Sequence, residues 1–146
     1  MTNVEQAVGC FKSGCNCAQA ILTVYGAPYG LDQKAAMKLA TGFGGGMGRM
    51  GEVCGALTGA FMVLGLKFGA GTAQDAPAKE RTAALVQELS KRFEARHGCI
   101  RCRELLGCDI DTPEGMQAAK DRKLFTTVCP GLVGDAAGML EELLAE

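Results

Sequence analysis

Apolar side chains recur along the chain at intervals of three and four, and a glycine, a proline or a capping residue punctuates each run. That pattern predicts helices joined by short turns. Val4, Ala7, Val8 and Phe11 share one face of a first helix, capped by Asn3 and stopped at Gly14. Asn16 caps a second, Cys17 to Tyr25, whose Ile21, Leu22 and Tyr25 form a stripe ended by Gly26. Asp32 caps a third that runs to Leu39 or Ala40, and a fourth is expected from Gly51 or Glu52 to Phe68. Pro77 opens a long fifth helix in which Thr82, Val86, Leu89 and Phe93 trace the apolar face, with Gly98 as its stop after His97. A short turn at Cys102 to Leu106 leads to a helix from Thr112-Pro113-Glu114 to about Phe125, and a last one spans Pro130 to Leu144.

No stretch keeps the period-two alternation of a half-buried strand between hairpin turns. The expected fold class is therefore all-α, an irregular bundle of six to seven helices. With 146 residues the chain suits a single core and a single domain spanning 1–146.

Glycine complicates this pattern in two places. The segment from Thr41 to Gly51 is too glycine-rich for regular structure. Within it Gly46-Met47-Gly48-Arg49-Met50-Gly51 spells a dinucleotide-binding fingerprint, but it follows a helix where a real one follows a buried strand, which argues against nucleotide binding. Gly51, Gly55 and Gly59 then recur on one face of the fourth helix, although each interior glycine costs about 1 kcal/mol relative to alanine. Such a face predicts close helix pairing, within the chain or across a homodimer.

Charge narrows the partners. The 15 Lys and Arg nearly balance 16 Asp and Glu, and they are scattered without a basic stripe. Nucleic acid and anionic membrane surfaces are not expected partners. The most apolar run, Val53 to Leu66, falls short of the roughly 20 residues a membrane span needs, so no membrane insertion is expected. The N-terminus has no secretory pattern, and the expected location is cytoplasmic.

Eight cysteines change the picture most. In a reducing compartment disulfides do not persist as staples, so cysteines at this density point to ligands or redox groups. Cys17, Cys54 and Cys129 fall at predicted helix N-termini, where the backbone dipole should make all three ready thiolates. Thiolate suits both a soft metal and disulfide exchange, so placement leaves that choice open. Cys15-Asn16-Cys17 and Cys99-Ile100-Arg101-Cys102 supply close pairs, and Cys15 could pair with Cys17 as an exchangeable dithiol. Common zinc templates need a second Cys-x-x-Cys pair or paired histidines, and only His97 exists. Covalent haem is not expected because Arg103, not histidine, follows Cys102. A thioredoxin-like site would need a strand before Cys99, where a helix is predicted.

Cys54-Gly55-Ala56-Leu57-Thr58-Gly59, the preceding Gly42-Phe43-Gly44-Gly45-Gly46-Met47-Gly48 and the upstream Cys17-Ala18-Gln19-Ala20 are more specific. On these residues the chain resembles, over almost its whole length, a family of redox-active proteins named for a Cys-Gly-Ala-x-x-Gly motif and four cysteines. The resemblance implies that those four are Cys17, Cys54, Cys102 and Cys129, with Cys10, Cys15, Cys99 and Cys108 as additions of this sequence. A similar domain occurs in split-Soret-type cytochromes that hold an iron–sulfur centre, which implies a four-cysteine cluster site. The glycine segment would then bring the Cys54 helix close and offer backbone N–H groups to cluster sulfur.

Three readings follow. The first is an iron–sulfur or other thiolate-bound metal centre on Cys17, Cys54, Cys102 and Cys129, for electron transfer or redox sensing with an unidentified redox partner. Cys99 or Cys108 could replace Cys102 in that set. The second is a metal-free thiol–disulfide oxidoreductase. The third is a non-catalytic helical binding or scaffold domain serving a transport system. No residue is assigned a catalytic role.

Overall fold

Side-chain caps fix where the helices begin. In the computed structural model, which describes residues 1–146, nine α-helical segments follow one another. They are α1 (Asn3–Lys12), α2 (Cys17–Gly26), α3 (Gln33–Thr41), α4 (Gly55–Phe68), α5 (Ala76–His97), α6 (Cys102–Leu106), α7 (Pro113–Asp121), α8 (Leu124–Thr127) and α9 (Cys129–Leu144), with a 3₁₀ turn at Ala27–Tyr29. Thr2, not Asn3, caps α1: its hydroxyl accepts the Glu5 N–H while the Glu5 carboxylate accepts the Thr2 N–H. Asn16 and Gln19 form the same reciprocal pair at α2. Asp32, Asp75 and Thr112 cap α3, α5 and α7.

The expected six to seven helices become nine segments for two local reasons. Lys123 adopts the left-handed region at φ 56°, which ends α7 and separates α8 from it. Residues 102–106, read as a turn, close one short helix ended by Gly107 at φ 66°. The fourth helix also starts later than expected. Cys54 N–H donates to the Ile100 carbonyl at 2.8 Å and Cys102 N–H donates to the Glu52 carbonyl at 2.7 Å, so residues 52–54 are held extended against 100–102. The resulting bridge between Val53 and Arg101 is isolated, and no β-strand is present. No helix is long and apolar enough to cross a membrane.

Two apolar clusters fill the interior. The larger packs Ile21, Leu22, Leu57, Leu64, Phe93 and Leu140 between α2, α4, α5 and α9. The smaller gathers Leu106, Ile110, Ala119 and Leu124 beneath the C-terminal segments. The glycine face of α4 is used within the chain: a Cβ at Gly59 would stand 2.9 Å from the Ala18 carbonyl oxygen, and one at Gly55 would stand 3.1 Å from the Ala18 nitrogen. Small residues thus let α4 lie on the backbone of α2. Gly51 precedes the helix and packs instead on Arg103.

Candidate functional site

All four cysteines singled out by the family resemblance sit at helix starts. Cys17, Cys102 and Cys129 are the first residues of α2, α6 and α9, and Cys54 is the residue before α4. Cys54 belongs to the larger apolar cluster, Cys102 and Cys129 to the smaller, and Cys17 packs against both. The four therefore meet along the seam between the two cores. They line one cavity of about 760 Å³. Cys54, Cys102 and Cys129 are buried, whereas Cys17 keeps part of its surface accessible.

The helix starts are locked to one another. The Asn16 side-chain amide donates to the carbonyls of Ala40 and Thr41, and the Gln19 amide donates to the Met37 carbonyl. The α2 start is thereby tied to the end of α3, where the glycine segment begins. That segment winds the wrong way for L-residues: Gly45, Gly46, Met47, Gly48 and Arg49 all have φ between 60° and 72°. Non-glycine residues in this region cost roughly 1–2 kcal/mol each, and Met47 and Arg49 both bear that strain. The Gly48 N–H donates to the Gly42 carbonyl at 2.7 Å and the Glu52 N–H to the Gly46 carbonyl at 2.9 Å, which closes the turn. Glycine is required at 46, where a Cβ would stand 2.5 Å from the Glu52 nitrogen and 2.8 Å from the Cys102 Cβ. The N–H groups of Gly44, Gly45 and Gly46 make no hydrogen bond within the protein, although Gly44 and Gly46 are buried and all three line the cavity. Unpaired buried N–H groups are rare and mark a wall suited to an acceptor or an anion.

The thiols do not share one electrostatic fate. Interaction with the Cys17 thiol lowers the Cys54 pKa against the opposing cost of burial, and the nearby Ala56 and Leu57 N–H groups lower it further. Cys17 is raised well above the ordinary thiol value by the side chains of Cys129 and Cys54, then by burial. Burial, followed by the charges of Cys54 and Cys129, pushes Cys102 up to about 12. The expectation of ready thiolates is thus corrected for Cys17, whose pKa moves up while that of Cys54 moves down: in a cluster of thiols one negative charge opposes the next.

The remaining cysteines stay off the cavity wall. Cys10 forms a disulfide with Cys15, with a Cα–Cα distance of 5.6 Å. Gly14, at φ 117°, turns the chain so that Cys15 returns to the last turn of α1, while Cys17 enters α2 facing the cavity. This corrects the pairing of Cys15 with Cys17 and differs from the expectation that disulfides would not serve as staples. Cys99 is half-buried, with its thiol raised by burial and then by Glu104 and Glu94. Cys108 is buried and accepts a hydrogen bond from Arg122 Nη1 at 3.4 Å. His97 stacks on Phe93 and lies 3.0 Å from Asp135. Arg49 and Lys120, which do line the cavity, went unremarked in the sequence, because lone cations on separate segments leave no spacing signal.

The donor set fits a soft metal in kind, since four thiols, one of them biased to thiolate, suit zinc or iron–sulfur chemistry. As the side chains stand, no three His, Cys, Asp or Glu groups already form a metal-holding group.

An all-helical chain that brings four cysteines from four helix starts to one cavity defines a class of cysteine-centred proteins. The chain belongs to the family described as "Putative redox-active protein (C_GCAxxG_C_C)", which matches residues 15–143. No curated protein and no solved structure matches it.

Proposed function

We propose that Cys17, Cys54, Cys102 and Cys129 act as one thiolate centre that holds an iron–sulfur cluster or another soft metal for electron transfer or redox sensing. Convergence is the observation that supports this reading. Disulfide exchange needs two thiols, whereas here four from α2, α4, α6 and α9 line the same cavity. A bound cluster would supply one-electron transfer. The chain would supply the ligands, the unpaired N–H groups of Gly44 to Gly46 beside the sulfurs, and an apolar cover that limits water. An unidentified redox partner and a reducing compartment such as the cytoplasm belong to the same reading.

Absorption spectra with iron, sulfide and zinc analysis on protein purified without oxygen test it, for the native chain and the four single Cys→Ser variants. Stoichiometric metal in the native chain and its loss in each variant is the expected result. Full metal content in the variants would sink the assignment.

The interaction of Cys54, whose pKa is lowered, with Cys17 favours a second reading, a metal-free dithiol in which Cys54 attacks the disulfide of a partner protein and Cys17 resolves the mixed disulfide, leaving the partner reduced and Cys17–Cys54 oxidised. It predicts a colourless protein with a reversible disulfide between Cys17 and Cys54.

A further inference from the structure

The cavity exceeds what four thiols occupy, and its charge is one-sided. At about 760 Å³ it falls within the roughly 300–1,000 Å³ range of small-molecule sites. Ile110, Met116 and Phe125 give it an apolar flank. Its charged lining residues are Arg49 and Lys120, with no Asp or Glu among them.

Neither cation has a partner in the protein. Arg92, Arg96, Arg101 and Arg103 pair with carboxylates, Arg81 lies over the Phe68 ring, and Arg122 donates to Cys108. Arg49 is the one arginine left without such a contact, and it is held against Gly45 on strained backbone at φ 61°. Strain maintained at a cavity edge points to use. The unpaired N–H groups of Gly44, Gly45 and Gly46 add donors further into the cavity. Both cations are exposed while Cys54, Cys102 and Cys129 are buried, so the cavity runs from a positive mouth to a sulfur floor.

We infer that this cavity binds an organic anion. Its carboxylate or phosphate sits at the mouth with Arg49 and Lys120, and a compact apolar body rests on Ile110, Met116 and Phe125. Binding stands without the metal reading; only the ligand's role as substrate of the redox centre rests on it.

The test titrates 2-naphthoate and its neutral counterpart 2-naphthalenemethanol into metal-free, reduced protein. The chain has no tryptophan, so naphthalene emission is read without that background. The acid is expected to bind about tenfold tighter than the alcohol. Arg49→Gln and Lys120→Gln should each weaken the acid about three- to tenfold and leave the alcohol unchanged, with folding checked by circular dichroism. Equal binding of acid and alcohol, no binding of either, or indifference to both substitutions overturns the inference. Cys54→Ser is measured alongside. Acid binding retained in that variant keeps this result separate from the fate of the metal reading, and acid binding lost from a folded Cys54→Ser protein counts against the mouth as the binding determinant.

Discussion

Alanine at Gly59 probes whether the close approach of α4 to α2 is set by backbone contact. A Cβ there would stand 2.9 Å from the Ala18 carbonyl oxygen, 3.1 Å from the Ala18 Cα and 3.2 Å from the Ile21 Cβ. Two of those atoms are backbone, so relief requires α2 to shift. Overpacking of this kind costs about 1–3 kcal/mol, and the helix propensity of alanine offsets about 1 kcal/mol of it. Gly59→Ala should therefore be neutral to about 2 kcal/mol less stable. Gly65, in the same helix, has no atom within 4 Å of the corresponding Cβ position. Gly65→Ala should gain about 0.5–1 kcal/mol from propensity alone. The two variants should thus differ by about 1–3 kcal/mol, or roughly 3–9 °C in melting temperature for a chain of this size. Thermal and urea unfolding of the reduced, metal-free protein by circular dichroism measures the gap. Equal stability of the two variants would refute the contact argument.

Tyr25 donates to Glu141 Oε2 at 2.5 Å, joining α2 to α9, and burial followed by Glu141 raises its pKa. The folded protein then keeps the phenol proton after the unfolded chain has lost it, so stability is unaffected below about pH 10 and falls as pH rises further. Tyr25→Phe should cost about 1 kcal/mol at neutral pH and flatten that alkaline decline, measured as urea midpoints at about pH 8 and about pH 10.5; parallel declines would contradict it. The Cys10–Cys15 disulfide closes a short loop, so Cys10→Ser should destabilise the oxidised protein by about 2 kcal/mol and the reduced protein hardly at all. A loss that persists in reductant would assign the effect to packing near Thr23 instead.

Local signals made the helices readable. Asn16, Asp32, Gly26 and Pro113 speak through their own backbone neighbours, and the boundaries they predict hold to within a residue or two. The start of α4 did not yield to that reading, because Gly51 to Cys54 are drawn off the helix by hydrogen bonds to residues 100–103, a partner distant in sequence. The break at Lys123 was equally hidden, since nothing in Asp121-Arg122-Lys123-Leu124 demands a left-handed residue. At the site, the family resemblance picked out the four cysteines that line the cavity, and the helix-start rule located three of them, whereas Cys102 opens a short helix whose sequence reads as a turn. Their unequal acidity was not readable from that rule. It depends on which thiols interact, and the approach of one helix start to another is a property of the packed bundle.

The wide spacing of Cys17, Cys54, Cys102 and Cys129 along the chain has a consequence for how the protein would report its own condition. A Cys-x-x-Cys knuckle can form on a short, otherwise unstructured peptide. These four thiols become neighbours only after α2, α4, α6 and α9 have docked. Whatever joins them, a metal or a bond between sulfurs, behaves as a rivet through the whole bundle, and its stabilising effect enters as a term in global unfolding. Removing it would loosen the entire molecule at once. The state of four sulfur atoms would thereby set how readily a protease finds an open chain, and so how long each copy lasts.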